Sequence, residues 1–353
     1  MTVLQGGLAL VDEAMEWGPQ TRDLERVEVQ KTGGVLFTAI AEGSLRWFAF
    51  DSGSFDELHP HGDTRVDLCR TLTPADAGRI VSWRPGRRVC LRSERKGQSC
   101  FLKGYRKRKA AAALANHQRA QVACDTPNGF VVPRVLHSDG EQGSIVMSAL
   151  QGAPLAVKAD QVHSFVSIGR ALRDLQATPA IQDLAQHGAP EELTLLETLA
   201  RRTEPVLGSL PAEWAATLAR LSLTPPPIAT TVATHRDLHV GQFLRMQDAV
   251  GLLDFDLMCQ APPSLDLGNL IVHLHLKALQ GLDGCTDADA DRCIEALLEG
   301  YGGSLDGEDP NALRFFKATT YLRLALIYAI RPRWASLADP LTRLAKHCID
   351  EQV

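Results

Sequence analysis

The sequence predicts an α+β protein in which a sheet-rich first part carrying one helix precedes a larger, mainly helical part. Three observations lead there. Short apolar runs bounded by turn formers recur between residues 35 and 148, one alanine-rich stretch with helical spacing interrupts them, and long amphipathic segments dominate after Gly152. The totals agree: 353 residues, 45% hydrophobic and 22% charged, are enough for two lobes with separate cores and exclude disorder over most of the length.

Residues 35–50 (VLFTAIAEGSLRWFAF) are two apolar runs joined at Glu42-Gly43-Ser44, the pattern of a β-hairpin. The following DSGSFDELHPHGDT is rich in turn formers and reads as a loop. RIVSW, RVCLR and SCFLKGY are three short strands, separated by RPGR and SERKGQ. Residues 109–123 form a helix of strong helix formers, and RVLHS and SIVMSAL give two more strands. Helices are then predicted over 160–177, 190–203, 211–221, 264–280, 289–301 and 310–331. TPPPIATT at 224–231 interrupts that series, because three prolines cannot continue a helix, and a small β insert follows.

Several classes are excluded. The eight cysteines form no C-x-x-C pair and several sit in apolar strand-like runs, so neither disulfides nor a zinc site is expected. Residues 1–17 lack a basic leader and carry Asp12, Glu13 and Glu16 after a short apolar patch, unlike a secretory signal. The apolar run Ala325 to Ile330, flanked by Arg323 and Arg331, is too short to span a bilayer. The expectation is a cytoplasmic protein with no membrane or nucleic-acid partner. The net charge of -5 is uneven: Lys and Arg number 20 against 17 Asp and Glu up to residue 150, and 17 against 25 beyond it. A basic part holding an anionic ligand accounts for this, as does solvated surface.

The chemistry concentrates at HRDLHVGQFL (235–244) and GLLDFDLMCQAPPSLDLGNL (251–270). A loop H-R-D-x-x-x-x-N uses its Asp to accept a hydroxyl proton and its amide to hold magnesium, with a second Asp on the metal further along. Here His235-Arg236-Asp237 is followed five residues later by Gln242, and Asp254 ends the apolar run GLL. Asp266-Leu267-Gly268 begins twelve residues after Asp254. These three motifs resemble those of the aminoglycoside phosphotransferase and choline kinase-like superfamily, relatives of the protein kinases. Its members read H-G-D-x-x-x-x-N, then I-D-(W/F)-(E/D), then D-L-(A/G) in the same order. Gln242 stands where Asn is commoner, and in this the chain resembles maltokinase-like members.

The resemblance implies a bilobal protein-kinase-like fold. Residues 1–75 would be an N-terminal extension or cap, 76–150 a small β-rich nucleotide-binding lobe, and 151–353 a helical lobe with the catalytic loop and acceptor site. It implies that Asp237 is the catalytic base or hydroxyl-positioning residue. Asp254 and Gln242 would hold Mg2+, with Asp256 in reach of a second ion, while His235 and Asp266 brace the loop. Lys103 would pair with phosphates of ATP or GTP, and Arg84 or Arg87 would supply by guanidinium what a glycine-rich loop supplies by backbone. The carbonyl of Ser148 and the amide of Leu150 are placed against the base. The helix glutamate that usually orients the lysine has no counterpart in KAAAALANHQRAQVA, where Asn116, His117 and Gln118 are the polar candidates. His239 is a candidate for phosphate or substrate; His273 and His275, two apart on a helix, face different ways and read as core or surface.

The implied activity is transfer of a γ-phosphate to a hydroxyl of a small acceptor, such as an antibiotic, a sugar or an amino alcohol. Only eleven residues separate Asp254 from Asp266, which leaves no room for the peptide-binding segment of a protein kinase. The rival reading is a catalytically weak module that binds nucleotide or a partner, favoured by Gln242, the missing helix glutamate and the single glycine of RPGR.

Overall fold

The computed structural model describes residues 24–29, 34–41, 44–51, 54–178, 183–227, 230–302 and 311–350. In chain order the first strands are β1 (Leu24–Val29), β2 (Val35–Ala41), β3 (Ser44–Asp51), β4 (Ser54–Leu58), β5 (Ile80–Arg84), β6 (Arg88–Arg95) and β7 (Gln98–Tyr105). Helix α1 (Lys107–Ala123) is followed by β8 (Val135–Asp139), β9 (Ser144–Ser148) and β10 (Ala153–Pro154). Next come α2 (Val162–Ala177), α3 (Ala189–Leu207) and α4 (Ala212–Leu223). The insert comprises β11 (Val232–Thr234), β12 (Phe243–Arg245), β13 (Val250–Leu252) and β14 (Cys259–Ala261), and α5 (Ser264–Gln280), α6 (Asp287–Tyr301), α7 (Ala312–Ala329) and α8 (Ala338–Asp350) complete the chain. The mixture of sheet-rich and helical regions is the α+β class read from the sequence.

Two units form, interleaved along the chain rather than following it in consecutive segments. One takes its described residues from Met1–Leu58, His187–Pro227 and Asp309–Val353; the other from His59–Gln186 and Ile228–Glu308.

In the first unit, β1 to β4 make an antiparallel sheet in chain order. Alternating residues Val35, Phe37 and Ala39 of β2, with Val27, Phe48 and Phe50, bury one face against Val206 of α3 and Ile330. Phe48 stacks on Phe37 and on Phe55, with ring centroids 5.4 and 5.3 Å apart. The 35–50 hairpin is therefore real, with Phe37 opposite Phe48. It belongs to a sheet separate from that of the lysine-bearing strands. The stretch after it is no simple loop, since Ser54–Leu58 is β4. Helix α8 escaped the sequence reading: Pro340 looks like a stop, yet a proline in the first turn blocks no helical hydrogen bond.

In the second unit, five antiparallel strands lie in the order β5-β6-β7-β9-β8. Ala110, Ala113, Ala120 and Ala123 recur at helical spacing on the buried side of α1, and Ala110 and Ala113 lie against Tyr105, Ile145 and Met147 of the sheet. The remaining strands pair as β10-β12-β13 and β11-β14, beside α2, α5 and α6. A capping box of Thr286 and Asp289 starts α6. Helices α2 and α6 approach closely because glycines face backbone: a Cβ on Gly169 would run into the carbonyl oxygen of Leu297, and one on Gly300 into that of Val166. Among the described residues no helix is long and apolar enough to cross a membrane.

Because backbone, not a flexible side chain, fills both glycine positions, Gly169→Ala and Gly300→Ala should each lower unfolding stability by about 1–3 kcal/mol. Urea denaturation of the two variants measures this; unchanged midpoints would show that the helices can part at no cost.

Candidate active site

All the residues singled out by the sequence motifs lie in the second unit. The loop after β11 is fixed from beneath. Asp266, in the first turn of α5 and fully buried, accepts the backbone N–H of His235 at 2.6 Å and of Arg236 at 2.7 Å. One helical turn further on, Asn269 donates to the carbonyl of Arg236 at 2.9 Å. These three bonds hold Arg236 in the left-handed region, at φ 70°, a conformation uncommon for a residue with a side chain. The buried His235 ring donates from Nε2 to the Leu253 carbonyl at 2.8 Å, so its Nδ1 is the acceptor for the Asp237 N–H at 3.3 Å. Loop and metal-motif strand are thereby tied together, and the half-buried Asp237 carboxylate is set by its own backbone. Burial raises the pKa of Asp266, against the lowering effect of the neighbouring His235 and of the two N–H groups it accepts.

Gln242 ends a one-turn 3-10 helix over Val240–Gln242, and its carbonyl accepts the N–H of Leu253 at 3.0 Å. That bond extends the β12–β13 pairing and brings Gln242 beside the residue preceding Asp254. His239 turns inward to this loop: Nδ1 accepts the Gly241 N–H at 3.1 Å and Nε2 lies 3.2 Å from the Gln242 amide nitrogen. Burial lowers the pKa of His239, although Asp237 and Asp254 pull it up. His273 of α5 lies ring to ring with His239 at 5.4 Å, while His275 points to Asp291 at 3.9 Å.

Asp254 also adopts the left-handed conformation, φ 65° and ψ 62°, which Asp tolerates better than most residues. It turns the chain so that Asp254 and Asp256 both meet the sheet. Lys103 Nζ is 2.9 Å from Asp254 Oδ1 and 3.5 Å from Asp256 Oδ1. Arg88 Nη1 is 3.1 Å from Asp254 Oδ2 and 2.7 Å from Asp256 Oδ2. Tyr105 donates its hydroxyl to Asp256 Oδ1 at 2.8 Å, and His117 Nε2 donates to the same oxygen at 3.1 Å. Phe255, fully buried, packs edge-on against His117 of α1 and His235 of the loop.

Lys103 meets no acid on α1; its nearest carboxylates are Asp254 and, farther off, Asp256. Helix α1 reaches Asp256 through His117, while Asn116 donates to the carbonyls of Asp256 and Met258 at 3.4 and 3.2 Å. Burial would raise the pKa of Asp256, but the His117 hydrogen bond and the charges of Lys103 and Arg88 outweigh it and hold the carboxyl far below its usual range. Burial and the Asp256 carboxylate together push the Tyr105 hydroxyl well up.

The turn between β5 and β6 is rigid. Gly86, at φ 62°, donates its N–H to the buried Asp63 carboxylate, which Trp83 also reaches at 3.2 Å, and Arg106 donates to the Gly86 carbonyl. Arg84 is half-buried and Arg87 exposed, but the guanidinium on the carboxylates is that of Arg88. Ser148 is taken up by Arg134, whose N–H reaches its Oγ at 2.8 Å and whose carbonyl accepts its N–H at 2.9 Å. Leu150 packs over Gly251 of β13.

Arg88, Tyr105 and Asn269 were missed by sequence reasoning, although the spacing of Tyr105 and Asn269 was a signal and only the ladder singles out Arg88. Tyr105 is two residues beyond Lys103 on the same strand face, Arg88 lies opposite Tyr105 in the ladder, and Asn269 is one helical turn past Asp266.

The side chains present suit a hard divalent cation. Asp254, Asp256 and His117 bring ligand atoms within 4.8 Å of one another, and the carboxylate oxygens among them are donors that magnesium or calcium accepts.

The model of the phosphotransferase enzyme family matches residues 85–316, more than half of the chain. The chain belongs to that family. Solved phosphotransferases share its fold. Amicoumacin kinase hAmiN, in complex with AMP-PNP, Ca2+ and Ami, superposes with a TM-score of 0.57 at 16% identity, over 84% of this chain and 97% of that one. Choline kinase LicA from Streptococcus pneumoniae gives 0.51 at 11% identity, over 77% and 92%. Aminoglycoside phosphotransferase APH(3'')-Id from Streptomyces rimosus gives 0.50 at 21% identity, over 76% and 99%. No curated protein sequence matches the chain. The bilobal kinase-like fold of aminoglycoside and choline kinases read from the sequence is thus found.

Two measurements probe this candidate site. Asp266→Asn puts an NH2 group against a buried N–H and should cost about 1–3 kcal/mol in unfolding stability while loosening the loop; hydrogen exchange at residues 235–237 reads the second effect. The depressed carboxyl of Asp256 adds stability that is complete above the ordinary value of 3.8 and is lost as pH falls below it. Asp256→Asn should therefore flatten the fall of the urea midpoint between about pH 4.5 and about pH 2, and an unchanged slope would contradict the ion cluster.

Proposed function

We propose that this phosphotransferase moves the γ-phosphoryl group of ATP or GTP to a hydroxyl group of a small molecule, with Mg2+ as cofactor. The observation that carries the reading is the braced loop: Asp266 and His235 fix the backbone of Asp237, and His235 ties that loop to the residue before Asp254. Catalysis of this kind is placement and charge neutralisation, for which a loop held by several buried bonds is suited.

In the proposed reaction the acceptor oxygen forms a bond to the γ-phosphorus while the bond from that phosphorus to the β–γ bridging oxygen breaks. The electron pair leaves with the nucleoside diphosphate. Asp237 orients the hydroxyl and takes its proton, which passes to solvent. Asp254, Gln242 and Asp256 would hold the metal, which offsets phosphate charge. Lys103 serves the phosphates, Arg84 or Arg87 flanks them from the rigid turn, and the Ser148 carbonyl and Leu150 amide meet the base. Support for a small acceptor comes from solved structures of the same fold, whose names state action on amicoumacin, choline and aminoglycosides. An antibiotic, a sugar or an amino alcohol is the proposed acceptor class, and antibiotic resistance the proposed consequence in the first case.

One observation favours a second reading, a nucleotide-binding module without transfer: both metal-motif carboxylates are already neutralised by Arg88 and Lys103. Incubation with ATP or GTP, Mg2+ and a panel of antibiotics, sugars and amino alcohols, followed by mass spectrometry, separates the two. A product heavier by one phosphoryl group is expected, and Asp237→Asn should slow its formation by roughly 100-fold or more while nucleotide still binds. Full turnover in that variant would refute the assignment of Asp237; no Mg2+-dependent hydrolysis or transfer in the unaltered protein would favour the module.

A further inference from the structure

The turn arginines 84 and 87 carried the expectation for the phosphates, but the geometry singles out the next arginine. Arg88 opens β6, opposite Arg84 on one side and Tyr105 on the other, and Cys90 lies opposite Lys103. Directly opposed residues of an antiparallel pair, and residues two apart on a strand, share one face. Arg88, Lys103 and Tyr105 therefore stand on the same side of the sheet, and that side meets Asp254 and Asp256.

Each carboxylate oxygen is engaged. Asp254 Oδ1 takes Lys103 at 2.9 Å and Arg88 at 3.4 Å, and its Oδ2 takes Arg88 at 3.1 Å. Asp256 Oδ1 takes Tyr105 and His117, and its Oδ2 takes Arg88 at 2.7 Å. Two fixed positive charges thus balance two negative ones. A divalent ion arriving alone must displace a guanidinium from both acids while facing Lys103 as well. A triphosphate changes that balance, because it brings oxygens of the geometry guanidinium binds best. The side chain of Arg88 is 32% exposed against 12% for Lys103, so of the two cations it has the room to swing.

We propose that Arg88 guards the two metal-motif carboxylates and hands its guanidinium to the nucleotide phosphates when metal and nucleotide enter together. Metal without nucleotide is then held weakly, and the ion's occupancy follows that of the nucleotide. This rests on the phosphoryl-transfer reading above. It adds a phosphate ligand outside the RPGR turn and gives that ligand a second task.

The test uses the full chain and two binding readouts, neither of them turnover. Mn2+ alone is titrated by the loss of its free electron paramagnetic resonance signal; mant-ATP is titrated by fluorescence with Mg2+ present. Arg88→Gln removes the guard and the phosphate ligand together, so Mn2+ should bind about tenfold tighter or more while mant-ATP binds about tenfold weaker or more. Opposite shifts are the signature, since a merely structural role would weaken both. Arg88→Lys keeps a charge on the acids but loses the fork, so it should weaken mant-ATP with Mn2+ affinity near that of the unaltered protein. It also stands in should the glutamine variant fail to fold. Tighter Mn2+ without weaker mant-ATP, weaker mant-ATP without tighter Mn2+ in Arg88→Gln, or unchanged mant-ATP affinity in Arg88→Lys overturns the proposal alone. An unaltered protein that binds no mant-ATP overturns the phosphoryl-transfer reading and this one with it.

Discussion

Asp254 and Asp256 set two negative charges, two residues apart, into a partly buried place at the end of a buried strand, and unpartnered buried charge costs several kcal/mol. Much of the second unit answers that constraint. β6 and β7 deliver Arg88, Lys103 and Tyr105 from one sheet face, and α1 delivers His117 across a row of alanines small enough to let the helix sit close. The left-handed backbone at Asp254 aims both carboxylates at these partners. Sheet, helix and loop are thereby fixed to one another through charge as well as through the apolar contact of Phe255.

Helix α1 carries no acid toward Lys103. The carboxylates beside that lysine, Asp254 and Asp256, sit on the turn after β13, and the helix contributes the imidazole that meets Asp256. The rigid turn before β6 follows a similar logic. With one glycine only, it draws its order from the buried Asp63, which receives the Gly86 N–H and the Trp83 indole, and not from repeated glycine flexibility.

Much of this was legible in the sequence because it is local. The spacing of Asp237, Gln242, Asp254 and Asp266 is a property of one continuous segment, and the alternation in β2, β3, β6 and β7 reports directly on a buried face. What was not legible depends on distant pairing. Arg88 meets Asp254 across 166 residues of chain, and nothing near RPGR distinguishes it from Arg84 or Arg87 until the ladder with Tyr105 is known. Strand β4 was hidden by its polar composition, as its pairing with β3 is what makes SFDEL extended. Nor does any local pattern announce that the described residues up to Leu58 group with described segments of 187–227 and 309–350.

That interleaving bears on how the polypeptide is made. The apolar face of β1 to β3 is covered by Val206 and Ile330, so these strands wait for residues that leave the ribosome much later. The second unit, complete once residue 308 is synthesised, can close before the first has its full core. The sheet that precedes the second unit along the chain is finished only after it, and until then its row of phenylalanines needs shelter from other nascent chains.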